Sequence, residues 1–188
     1  MDRRDLMRLV GVALPGLAGL DPDRLFAMVA RAHSGPQGPG AFDAHQRATV
    51  DVLAELIMPA TDTPGARAAG VPAFIEVIVG EWYHDDERAP FLRGLADLDS
   101  RSQADFQKAF VELTEPQQTA ILTGMDAEAR AMPRGSPPHF FSRLKDLTLA
   151  GYYTSEIGMR QELGDVFMPG RYDGAAPVRA RPAAAGGR

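Results

Sequence analysis

Val71-Pro-Ala-Phe-Ile-Glu-Val-Ile-Val-Gly-Glu-Trp82 is the stretch on which the fold class turns, because Val77–Val79 is the one strand-like patch in the chain. Val and Ile favour a pleated, half-buried strand. The apolar positions Phe74, Ile75, Ile78, Val79 and Trp82, however, recur at helical spacing, and Pro72 suits the first turn of a helix. The flanks are helical in pattern as well. Read this way, the segment removes the only competitor to an all-α fold.

Working outward, Val52, Leu53, Leu56 and Ile57 share one helix face until Pro59 ends the run. Downstream, Pro90 is expected to open a helix carrying Phe91, Leu92, Leu95 and Leu98, with Phe106, Phe110 and Leu113 continuing the pattern to Thr114. Thr114 with Gln117 three residues on forms a capping box, the start of a helix bearing Ile121, Leu122 and Met125. Pro138 precedes a last apolar stripe of Phe140, Phe141, Leu144, Leu147 and Tyr152. The expectation is a single compact all-α domain of about five to seven helices over residues 41–173, with flexible tails. Residues 33–40 read as a Gly/Pro linker, and 174–188, built of Ala, Gly, Pro and Arg, as a disordered tail.

The chain has 188 residues, 45% apolar and 24% charged, ordinary values for a globular domain. A net charge of −5 and no basic stripe argue against nucleic-acid binding. The absence of cysteine excludes disulfides, thiolate zinc sites, cysteine-held iron–sulfur clusters, CxxCH haem attachment and a cysteine nucleophile.

The N-terminus, residues 1–32, reads as an address. Arg3-Arg4, then Leu6 and Arg8, resemble a twin-arginine export signal, although Asp2 and Leu6-Met7 depart from its commoner residues. The apolar run Leu9–Leu20 is shorter than the roughly 20 residues that span a bilayer, so it fits a signal core and not a membrane helix. Ala30-Arg31-Ala32 offers an A-x-A cleavage site. The expected location is the periplasm. The twin-arginine route carries folded proteins, often with a partner, and this chain shows no cofactor motif of its own.

Catalytic constellations are missing or scattered. The four histidines, His33, His45, His84 and His139, lack the i, i+4 spacing of two ligands on one helix face. His84-Asp85-Asp86-Glu87 reads as a solvated turn between helices, without the spacing of a calcium loop. There is no G-x-S-x-G elbow, no dinucleotide fingerprint and no P-loop. No catalytic, cofactor-binding or metal-binding residue is therefore assigned. Two segments carry more specification than a plain connection needs. In Pro59–Pro72, Thr61 or Asp62 can cap backbone donors while Pro64-Gly65 and Gly70 set turns. In Leu147–Gly158, one helix ends and another starts, with Tyr152 and Tyr153 suited to a buried contact or an interface.

Taken in order, the twin arginines, Leu56-Ile-Met-Pro-Ala-Thr-Asp-Thr-Pro-Gly-Ala66, Ala69-Gly-Val-Pro-Ala-Phe-Ile75, Phe140-Phe141, Leu144-Lys145, Leu147-Thr148, Gly151-Tyr-Tyr-Thr-Ser-Glu156 and Gly158 resemble the small subunit (subunit 3) of gluconate 2-dehydrogenase. The resemblance covers about Val52 to Tyr172. It implies a non-catalytic escort of a large FAD-bearing oxidoreductase of the glucose-methanol-choline class acting on a sugar or sugar acid. A cytochrome c with haem c is an optional third member, and membrane association comes only through the complex. The candidate partner interface is Thr61, Asp62, Thr63, Trp82, Tyr152, Tyr153 and Glu156. Two other readings compete: a helical binding or scaffold protein unrelated to redox, and a small enzyme acting on oxidised sugars, which needs Asp62, Glu156 and the tyrosines in one pocket.

Overall fold

The computed structural model describes residues 22–38, 40–133 and 135–163, and among them there are six α-helices and no strand. These are α1 (Pro22–His33), α2 (Ala44–Ile57), α3 (Val71–Val77), α4 (Asp85–Phe106), α5 (Glu115–Ala131) and α6 (Phe140–Thr154). Arg3, Arg4 and the 174–188 tail lie outside the described residues. No helix of the described residues is long and apolar enough to cross a membrane.

The short helix α3 is the hub, packing against α1, α2 and α6. Val71, Phe74, Ile75, Val77, Ile78 and Val79 are all buried. From Phe74 to Val79 every residue is buried, and a segment enclosed in this way is apolar nearly all round. That explains why Val77–Val79 imitates a strand: the run follows from complete enclosure, not from a pleat. At seven residues α3 is too short to hold together alone, so its helicity comes from these contacts.

Beyond Val77 the chain widens into a π-turn, Ile78–Trp82. Arg88 holds it, donating from Nε to the Val79 carbonyl (2.9 Å) and from one terminal nitrogen to the carbonyls of Gly80 (2.7 Å) and Tyr83 (3.1 Å). A guanidinium supplies several donors in a fixed fork, which suits a turn that leaves several carbonyls unpaired.

Two sequence expectations are corrected here. Helix α4 begins at Asp85 and not at Pro90, which falls in its second turn. His84-Asp85-Asp86-Glu87 is thus no free turn: His84 is the N-cap residue and the three acids form the first helical turn, where the helix dipole favours negative charge. The expected continuation through Phe110 also fails. Gln107 takes a left-handed conformation (φ 58°), ends α4, and a short 3-10 turn follows at Phe110–Glu112. Phe110 is fully buried, with its amide bonded to Asp99 (3.1 Å) and its carbonyl to Gln118 (3.0 Å). The capping box of Thr114 and Gln117 and the starts after Pro138 and at Pro72 are present.

The Gly/Pro stretch read as a linker is anchored at both ends. Arg31 donates to the Gly35 carbonyl at 2.8 Å. At the other end Gly40 packs so tightly on the Glu76 carboxylate that a Cβ would overlap it.

Candidate functional site

The two most specified strings of the sequence, residues 61–66 and 151–156, meet in space. Near the C-terminal end of α6, Tyr152 is 1% exposed and donates its hydroxyl to the Pro64 carbonyl at 2.8 Å. Thr63 Oγ1 lies 3.3 Å from the same hydroxyl and donates to Glu162 at 2.9 Å. Tyr152 is therefore a post that pins the 59–66 loop from within. Its expected place at a partner surface is corrected: its ring and hydroxyl are consumed inside the subunit.

The loop has a second anchor that sequence reasoning missed. Glu55 accepts from the backbone amides of Ala60 (3.2 Å) and Arg67 (2.9 Å). The capping expected of Thr61 or Asp62 thus falls to Glu55, while the Thr61 hydroxyl bonds Asp62 (2.9 Å) and both residues are exposed. The detectable signal was an acid, Glu55, in the last turn of α2, where the helix leads into the loop. Arg67 in turn pairs with Asp51 at 2.7 Å.

The rest of the 151–158 string is also architectural. A Cβ on Gly151 would lie 2.8 Å from the Phe74 ring, so the glycine lets α6 lie against α3. Ser155 ends α6, donating to the Tyr152 carbonyl (2.7 Å) and accepting from the Gly158 amide (3.0 Å). Tyr153 is half-buried with its ring edge-on to Tyr152, and burial followed by the Glu162 charge raises its hydroxyl pKa above the usual value. Glu156 is exposed and pairs with Arg160 at 2.7 Å. Trp82, half-buried at the end of the π-turn, takes no part in the bonds that hold these groups. Asp62, Glu156 and Tyr152 thus bond to three different partners, Thr61, Arg160 and the Pro64 carbonyl.

Thr154 reaches elsewhere, to α1. Its Oγ1 lies 2.9 Å from His33 Nε2 and donates to the Ala150 carbonyl at 2.7 Å. With the Thr154 hydroxyl directed at that carbonyl, its oxygen is left to accept, and the neutral imidazole that suits this geometry carries its proton on Nε2. The imidazole also packs on Phe74, ring centroids 4.9 Å apart. Burial lowers its pKa below the ordinary 6.5. A depressed folded-state pKa means the unfolded chain takes up the proton first, so this contribution to stability is present above about pH 6.5 and is lost as pH falls below it. Thermal melts of the parent and His33→Gln from pH 7.5 to 5 should show a steeper decline in the parent; parallel curves would contradict the assignment.

A groove of about 480 Å³ opens beside the hub, with Phe42, Arg47, Asp51, Pro72 and Glu76 among its walls. Glu76 is buried and accepts from Arg47 Nε at 3.0 and 3.1 Å and from the Phe42 amide at 3.3 Å. Sequence reasoning missed the pair; its available signal was a single charge inside the apolar run 71–79. Every charge on this wall is matched, Glu76 by Arg47 and Asp51 by Arg67. Among the described residues no group of three or more His, Asp or Glu is placed to hold a metal ion, and every buried side-chain nitrogen or oxygen has a hydrogen-bond partner.

Replacing Tyr152 by Phe is expected to lower stability by about 1 kcal/mol, because it removes a part-buried hydrogen bond and leaves the Pro64 carbonyl without its tyrosine donor. Trypsin cleavage after the exposed Arg67 should accelerate in the same variant. Unchanged cleavage with unchanged stability would show that the post does not hold the loop.

A family model described as gluconate 2-dehydrogenase subunit 3 matches residues 44–170, which begins at the first residue of α2 and includes both strings that Tyr152 joins. No curated protein and no solved structure matches the chain.

Proposed function

Because the chain belongs to the gluconate 2-dehydrogenase subunit 3 family, and so to the subunits of a dehydrogenase complex, we propose that it is the non-catalytic escort of an exported FAD-dependent dehydrogenase. On this reading a large flavoprotein of the glucose-methanol-choline type holds FAD and oxidises a sugar or sugar acid. A cytochrome c is an optional third member. This chain brings the twin-arginine signal at Arg3 and Arg4, helps the flavoprotein mature, and accompanies it to the periplasm.

One observation carries the reading. The segments that bear the family resemblance are braced by the Tyr152 hydroxyl and the Glu55 carboxylate, and their buried side-chain polar atoms are hydrogen-bonded within the fold. What they present outward is the loop bearing Thr61 and Asp62, both exposed, with Thr63 half-buried beside them. A pre-formed loop loses little conformational entropy on docking, which favours association. The residues proposed to meet the partner are therefore Thr61, Asp62, Thr63, Tyr153 and Glu156, with Trp82 as a separate half-buried contact.

The test is co-expression with the flavoprotein, affinity purification and an absorption spectrum. Recovery of a flavin-bearing partner near equal stoichiometry, with this chain colourless alone, supports the escort. A flavoprotein that is exported and active without this chain, and never co-purifies with it, overturns it.

A further inference from the structure

The most informative feature outside the family-matched stretch is α1. The A-x-A sequence Ala30-Arg31-Ala32 lies in its last turns, and Ala32 is 0% exposed, packed in the core. Leu25, two turns earlier, also packs against that core. At its C-terminal end, His33 bonds Thr154 on α6 and stacks on Phe74 of α3, and Arg31 pairs with Glu81 of the π-turn at 2.5 Å. Thus one short helix is tied to three separate elements.

Proteolysis needs an accessible, extended segment, and such segments concentrate in exposed loops and chain ends. The bond after Ala32 meets neither condition. It is helical, its alanine is enclosed, and the next residue is a core contact. A chain delivered across a membrane already folded would arrive with this bond concealed.

We propose that α1 is a permanent part of the folded subunit and that signal removal cuts upstream of Pro22. The step is hydrolysis of one peptide bond by a signal peptidase with water as co-reactant, leaving a new amino terminus on the subunit and a carboxylate on the released segment. The location of the cut rests on the export reading above; the permanence of α1 does not. The chemistry of α1 supports it as a clamp, since its buried side is apolar while Asp23 and Arg24 are exposed.

The test uses the full chain, co-expressed with its partner, and reads two quantities. Intact mass and N-terminal peptides of the exported subunit should retain Ala30-Arg31-Ala32. A mature terminus at His33 overturns the proposal. Amide exchange of Ala27–Ala32 should be slower than in an unstructured chain by a factor on the order of ten or more. Exchange at the unstructured rate overturns it as well. The variant Thr154→Val, which removes the His33 partner while keeping the shape, should speed exchange in α1 and leave α4 unchanged; equal α1 protection in parent and variant would overturn the clamp. If the chain is recovered full-length from the cytoplasm, export is refuted, and the exchange measurement still decides α1.

Discussion

Phe74→Ala should lower the unfolding free energy by about 3–5 kcal/mol, the range for emptying a fully enclosed aromatic site. Phe74 is 1% exposed, fills the space against Gly151 of α6, and carries the His33 ring on its other side. The cavity would lie at the hub, where α1, α2 and α6 all contact α3, so the surroundings cannot collapse without moving three helices. Urea denaturation with the midpoint and slope both recorded checks this. A loss under about 1 kcal/mol would mean the hub repacks freely, and that α3 is not the element on which the others depend. Selective loss of α1 protection with the rest intact would locate the cost in the clamp alone.

The second large effect is expected at Gly158. A Cβ there would overlap the backbone carbonyl of Tyr152 and lie 3.0 Å from the Cα of Tyr153. A side-chain tip could swing away, but backbone atoms at the end of a helix cannot. Gly158→Ala should therefore cost about 3 kcal/mol, at the upper end of overpacking penalties. It should also disturb the Ser155 bond to the Gly158 amide and the position of Tyr152 beneath the 59–66 loop. The reason for glycine here is space and not a left-handed backbone. Neighbouring Met159→Ala, at a half-buried site, is the control. If Gly158→Ala melts like Met159→Ala, the crowding is relieved by a small backbone shift and the turn is not a fixed feature.

How much of this was legible beforehand differs by element. The starts at Pro72, Thr114 and after Pro138 could be read directly, because a cap or an N-terminal proline acts within a single turn of the chain. The all-α class was legible for a related reason: periodicity at helical spacing is written into neighbouring residues. Pro90 misleads because a proline is tolerated beyond the first residues of a helix start, and the three acids at 85–87, favoured by the helix dipole, begin α4 earlier. Gln107 carried no signal, since a glutamine rarely marks a left-handed end.

For the candidate site, the strings at 61–66 and 151–156 stood out in the sequence, but their relation did not. That the first rests on the second through a buried tyrosine hydroxyl depends on a contact spanning 88 positions. Glu55 as the loop's anchor, Arg47 over the buried Glu76, and Ala32 inside the core were equally invisible. The sequence by itself determined helix class, the starts of α3, α5 and α6, the absence of cysteine chemistry and the family. Only the tertiary structure decided which polar groups bond to one another, and that residues 22–33 form a helix packed against the core. The physical reason is that local preferences act through bonded neighbours and turn geometry. Burial, by contrast, is a property of what distant segments bring, and no residue carries a record of its distant neighbours.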